Sequence, residues 1–400
     1  MTVDRISTSN AYNSAVDNLL LRQTNLSETQ QQMTSGKRVL KASDDPTAAA
    51  RGERARALEA RTTASGKAVD ASSNAMTLTE DALGDASELL QQARELVVSA
   101  GDASYNDTER ASKATAIAAI RGQLLSIANR PDGQGGYVFS GQGSGGAPFV
   151  DQPGGVAFNG VGGSVNVATD EPLPLTLDGG NVWLDGSTGN GVFTTKNVNS
   201  GAAWIDSGRV TDPSQITGST YDVQFTNSGG ATTYSILKDG VATAAVNVPY
   251  TSGRDISVDG MAFTISGAPA TGDDFQMTPS TKSLSVFDTL DNIVKRLSTP
   301  SQGGADVQQA VEDGLRDIDQ VSAHISSARS FAGSTLQRLD GVKGRLDATE
   351  VSAETSRSDA EDLDMVKALS SFNQQQTGYS AALQSYATIQ KLSLFQYLNA

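Results

Sequence analysis

Gly141-Gln142-Gly143-Ser144-Gly145-Gly146 has the G-x-G-x-x-G spacing with which a backbone can close on a pyrophosphate, and it follows an apolar run, Tyr137-Val138-Phe139. That chemistry needs a helix N-terminus directly afterwards, whose free N–H groups hold the phosphate. Ala147-Pro148-Phe149-Val150-Asp151-Gln152-Pro153 does not open a helix, so the string reads as a flexible hinge between domains. A Walker A string is missing too, since Gly36-Lys37 runs into Arg38 and Gly66-Lys67 into Ala68.

The 400 residues include one histidine, His324, and no cysteine. Disulfides, thiolate metal sites and thiol nucleophiles are thereby excluded, and so is a zinc protease, which needs two histidines in H-E-x-x-H. His324 sits beside Ile325 in a helical run and is expected to be a solvated or hydrogen-bonded helix histidine. Asp273-Asp274 and Asp44-Asp45 are adjacent carboxylate pairs. In a strand such neighbours point to opposite faces, and at a helix start they serve as caps. The expectation is a protein without enzymatic activity, cofactor or metal; a carboxylate-only glycosidase is the chemistry these residue types leave formally open.

The elements around these residues fall into two kinds. A polar segment from about 4 to 36 ends at Gly36, suited to a left-handed C-terminal residue, and a second helix starts at Asp45, a cap, and Pro46, a first helical residue. Met76, Thr79, Leu83, Ala86, Leu90, Ala93 and Val97 continue it with a regular seam. Asn106 and Glu109 form a capping box for a helix with Ile117, Ile120, Leu124 and Ile127 on one side. From about 146 to 281 short alternating runs such as Tyr221-Asp222-Val223-Gln224-Phe225 lie between Asn-Gly, Gly-Gly and Asp-Gly turns and predict antiparallel β structure. Helix returns at Val286, and after Gly303-Gly304 one very long helical pattern runs nearly to the end, interrupted at seam positions by Arg329 and Lys343.

The fold class expected is α+β: a long antiparallel helical coiled coil or bundle built from both termini, with an inserted antiparallel β domain. Three domains follow: 1–40 with 360–400 for assembly, 41–145 with 282–359 as a helical bundle, and 146–281 as an outward-facing β domain. The net charge is −15, and the 146–281 segment alone carries thirteen acidic against four basic residues. With no terminal block of Lys or Arg to track phosphates, nucleic acid is not expected as a partner. No apolar run approaches the ~18 residues of a membrane span, and Met1–Ile6 lacks the parts of a secretory signal, so neither membrane insertion nor a cleaved leader is expected.

The two terminal stripes carry the function. Tyr12, Val16, Leu19, Leu26 and Met33 repeat at three and four residues, with Gln23 and Gln30 between them, and Phe372, Tyr379, Leu383, Tyr386, Ile389, Leu392, Phe395 and Leu398 do the same at the other end. Too polar for a self-sufficient core, they are expected to pair with each other and to find the rest of their cover on neighbouring subunits. Each bulky tail residue is worth ~1.5–3 kcal/mol if fully buried, so the tails are expected to be loose in the monomer and ordered in an assembly.

Ser35-Gly36-Lys37-Arg38-Val39, then Ser43-Asp44-Asp45-Pro46 and an Ala-rich helix, resembles the N-terminal signature of the flagellin superfamily, which pairs its terminal helices and inserts variable domains between them. Gly136-Tyr137-Val138-Phe139-Ser140-Gly141, the run Gly267–Phe275 with Phe287-Asp288-Thr289-Leu290, and the ending Lys391–Leu398 are more similar to its hook-associated members than to flagellin. The resemblance implies a structural adaptor between a layer of hook-associated protein 1 and the flagellin filament. It also implies ring assembly with copies of itself, a cytoplasmic export chaperone, type III export, and a place at the hook–filament junction outside the cell. The alternative within the superfamily is a flagellin filament subunit.

Overall fold

The computed structural model describes residues 8–167, 172–199, 201–300 and 302–398, and within them the side chains from Tyr12 to Thr388. Seven helices are present among these residues: α1 (Thr8–Ser35), α2 (Pro46–Ala100), α3 (Asp107–Ala128), α4 (Gly179–Leu184), α5 (Val286–Ser298), α6 (Gly304–Glu361) and α7 (Met365–Leu398). The strands lie between Phe149 and Leu284, and every pairing among them is antiparallel. The α+β class read from the sequence holds. The chain folds as two compact units, 1–67 with 343–400 and 68–342, to both of which α2 and α6 contribute.

In the larger unit the seam of α2 is the floor of the core. Met76, Thr79, Leu83, Ala86, Leu90, Ala93 and Val97 have no exposed surface at all. A heptad-like run of small and branched residues lets α3, α5 and α6 pack close to α2. Ile117 and Leu124 come from α3, Phe287, Leu290 and Ile293 from α5, and Ile318, Val321 and Ile325 from α6. The starts of α3 and α5 are those the sequence announces. Asn106 accepts from Glu109 N while the Glu109 carboxylate accepts from Asn106 N, and Ser285 caps α5 through Asp288 N at 3.2 Å.

Part of the inserted segment belongs to this helical core. Phe139, Phe149 and Trp183 are buried among the helices, with Trp183 stacked on Phe287 at 5.8 Å and edge-on to Phe139 at 5.5 Å. The Gly141–Gly146 string lies here as well, and its first residues are bonded into the core. Gly141 N donates to Leu177 O and Gln142 N to Val161 O, and Gly141 has φ +65° where a Cβ would lie 2.0 Å from Val161 O. Strand Phe149–Gln152 follows it, so there is no helix to receive a pyrophosphate.

A second core begins at Phe193. A six-stranded sheet runs in the order Val241–Ala242, Ala231–Lys238, Tyr221–Ser228, Asp274–Pro279, Phe193–Asn197, with Val248–Pro249 on Ala231–Lys238. A four-stranded sheet is built on Met261–Ala268. Tyr221, Val223 and Phe225 alternate inward and meet Ile205, Phe263, Ile265, Phe275 and Met277, the period-two pattern of a half-buried strand. Two tight turns explain the register: Asp239-Gly240 and Asp259-Gly260 each place two successive residues at positive φ, as a type I′ hairpin requires. The Gln309 side chain on α6 joins this module to the helices, accepting from Ile205 N at 2.9 Å and donating to Ile205 O at 3.2 Å. Arg316, also on α6, donates to Thr195 O at 3.0 Å.

Candidate assembly surface

The terminal helices lie side by side and antiparallel within the smaller unit. The Tyr12 and Tyr386 rings are 5.8 Å apart at one end, and Thr29 Oγ1 donates to Gln375 Oε1 at 3.0 Å further along. Between these points Arg22 reaches α7 at Gly378, where a Cβ would lie 2.9 Å from its Nη1.

Which residues face the partner helix differs from a strict reading of the sequence seam. Val16, Leu19, Leu26 and Met33 are half-buried, but Arg22 and the buried Thr29 take the intervening places while Gln23 and Gln30 face outward. On α7 the contact line is Ala368, Phe372, Gln375, Tyr379, Ala382 and Tyr386. Leu383 and Leu369 lie outside it, 43% and 51% exposed, and Tyr12 is 45% exposed despite its ring contact. A straight helix turns 100° per residue and drifts from a 3.5-residue repeat, so a polar residue one place away can take the inner position. The side chains of Ile389, Leu392, Phe395 and Leu398 lie outside the described residues.

Sequence periodicity missed the most exposed apolar residues of these two helices. Leu20 and Leu21 on α1 are 56% and 60% exposed, and Val366 on α7 is 81% exposed. Met365, Leu369 and Leu383 share a flank of α7, because steps of four and fourteen residues return to nearly the same direction. This unit therefore presents apolar surface on both helices, a feature of surfaces that meet partners.

A polar clamp holds the pair at its other end. Gly36, at φ +72°, ends α1, and Lys37 bridges Asp362 as a short antiparallel ladder. Arg38 N donates to Glu361 O at 2.7 Å and Leu363 N to Gly36 O at 2.9 Å. The helical pattern that the sequence runs unbroken from Gly304 thus stops at Glu361, and α7 starts anew with Asp364 accepting from the N–H groups of Val366 and Lys367. Glu361 is 4% exposed; its carboxylate takes Lys37 Nζ at 3.2 Å and is also paired with Arg56. Around the turn Asp44 accepts from Leu40 N and Lys41 N, and Asp45 caps α2 through Ala48 N at 3.0 Å. The bond from Ala48 N, with those from Thr47 and Arg38, holds the Asp45 carboxyl down to about 2.

The residues with a catalytic look do structural work. His324 Nε2 is 2.7 Å from Asn181 O, joining α6 to α4 on the wall of a cavity of about 540 Å³. Asp273 accepts from Ala270 N at 3.0 Å, while its neighbour Asp274 sits within the strand pairing, its carboxyl raised by burial. No cluster of three or more His, Cys, Asp or Glu suited to a metal exists among the described residues, and no described helix is long and apolar enough to cross a membrane.

Comparison with known proteins gives the same outline. Residues 6–144 match the family model of the bacterial flagellin N-terminal helical region and 315–398 that of its C-terminal helical region. Residues 193–279 match a D2-like domain of flagellar hook-associated protein 1. Flagellar hook-associated protein 3 of Escherichia coli K12 is 25% identical over 370 residues, which span 92% of this chain and 90% of that one. The crystal structure of Xanthomonas campestris FlgL superposes with a TM-score of 0.67 at 30% identity, covering 77% of this chain and 99% of FlgL. Hook-associated protein-3 of Legionella pneumophila gives 0.69 at 27% identity, over 76% and 96%.

Proposed function

Because the chain belongs to the flagellar hook-associated protein 3 (FlgL) family, we propose that it is the non-enzymatic adaptor that joins a layer of hook-associated protein 1 to the flagellin filament at the hook–filament junction. It is a structural protein of the flagellum. The observation that carries the adaptor reading is the antiparallel pair α1 and α7, which buries one line of contacts and leaves Leu20, Leu21, Val366, Leu369 and Leu383 in water. Apolar surface on both helices of one pair suits a subunit whose remaining cover comes from neighbours.

In this reading residues 1–40 with 360–400 act as the assembly domain, 41–145 with 282–359 as the helical bundle, and 146–281 as the outward-facing β domain. Copies of the chain form a ring that contacts hook-associated protein 1 on one side and flagellin on the other. The bulky residues of the tail are covered by a cytoplasmic chaperone before type III export to the flagellum.

Deletion of the gene tests this. Loss of swimming with intact hooks, and flagellin shed into the medium, is the expected result; filaments that stay attached would sink it. An assay of the whole chain on polysaccharides checks the absence of activity, and clear turnover would overturn the structural reading. A flagellin subunit, by contrast, would extend long filaments on a seed.

A further inference from the structure

A groove of about 500 Å³ runs between the first part of α2 and the last part of α6. Its floor is apolar, formed by Ala48, Ala55, Ala353 and Ala360, with Leu58 at the edge and 41% exposed. Arg51 and Arg54 stand over it, and no described residue pairs with either guanidinium. The carboxylates on its walls are Asp45, which Arg38 holds at 3.1 Å, and Asp359. The composition of the two helices is opposed: 46–67 has five basic and two acidic residues, whereas 343–364 has three basic and seven acidic.

The complementary surface is on the far side of α6. Ser352, Ser356 and Asp359 face the groove. At 100° per residue, Asp347 and Glu350 point the opposite way and are exposed, and beside them Val351 is 63% exposed. One side of this helix pair thus offers arginines around an apolar trough, and the other offers carboxylates beside an apolar knob. Two different patches of one chain that fit each other make a head-to-tail contact, which closes into a ring when the rotation allows.

We infer that the groove receives a second copy of this chain: Arg51 and Arg54 of one copy take Asp347 and Glu350 of the next, with Val351 laid over the Ala48–Leu58 floor. This rests on the junction reading above and specifies how neighbouring copies in the layer touch. Exposed ion pairs are individually weak and screened by salt. Two copies alone therefore part readily, while in a closed ring each copy is held from two sides.

The test is complementation of a deletion strain with the full chain, scored as the fraction of cells bearing filaments. Arg51→Glu with Arg54→Glu is expected to lower that fraction at least tenfold, and Asp347→Lys with Glu350→Lys to do the same. All four changes together are expected to restore it to within twofold of wild type, a rescue that residues on opposite sides of one molecule cannot produce within a single copy. Melting of the purified variants checks the fold. If the reversals at 51 and 54 disturb folding or export, Arg51→Gln with Arg54→Gln is expected to lower the fraction at least threefold. The inference is overturned if folded, exported variants of either pair retain full filamentation, or if the combined variant does no better than its parts. Failure of the wild-type chain itself to restore filaments would instead count against the junction reading.

Discussion

The carboxylate of Glu361 occupies the space that any side chain at position 52 would need: a methyl group on Gly52 would lie 2.0 Å from its Oε1. Lys37 and Arg56 hold the other oxygen, so the carboxylate cannot swing aside without losing both cations. Glycine inside a helix costs about 1 kcal/mol relative to alanine, and at Gly66, with nothing within 4 Å, Gly66→Ala should recover about that much. At position 52 the sign reverses. Gly52→Ala is expected to cost about 1–3 kcal/mol through overpacking. Urea unfolding of both variants checks the contrast, and a gain at position 52 would refute the clamp.

The capping box of α3 makes a smaller, cleaner prediction. Asn106→Ala leaves the Glu109 N–H without its acceptor and should destabilise the protein by about 0.5–2 kcal/mol, whereas Asn106→Asp, which keeps an acceptor oxygen, should stay near wild type. Equal losses in thermal unfolding would show that the cap is not what matters there.

Asp45 gives a pH dependence with a definite sign. Its carboxyl titrates near 2 in the folded chain against an ordinary value of 3.8. The stabilisation is therefore complete above the unfolded value and disappears as pH falls through about 2. The difference in melting temperature between wild type and Asp45→Ala is expected to be constant above pH 5 and to shrink toward zero near pH 2. A difference that grows on acidification would contradict the assignment.

The outward residues of the terminal pair separate folding from assembly. Leu20→Ser with Leu21→Ser removes exposed apolar surface without opening the contact line to α7, so unfolding free energy should move by no more than about 0.5 kcal/mol per site. Filament retention in the complemented deletion strain should nevertheless fall. Full retention would mean that this flank has no partner.

Legibility in the sequence followed the density of packing. The seam of α2 could be read residue by residue because each of its inner positions is small or apolar and fully buried. On α1 and α7 the inner and outer positions differ little in polarity: Thr29 and Gln375 face inward while Leu20 and Leu383 face out, so periodicity placed the stripe but not its edge. The break after Glu361 was hidden because Asp362-Leu363-Asp364 contains neither glycine nor proline; the pairing with Gly36–Arg38, 324 positions away for Lys37 and Glu361, makes it. Trp183 was equally hidden, since a six-residue helix is too short to show a period.

The Gln309 amide fits between the backbone N–H and C=O of Ile205 as a neighbouring strand would, one rung added to a sheet by a helix. An open strand edge invites association with foreign chains, and this rung occupies one place on it. With Arg316 bound to Thr195 nearby, the β module is fastened to α6 at two places rather than tethered by a loose linker. A displacement of that stretch of α6 is therefore carried into the β module through these two side chains.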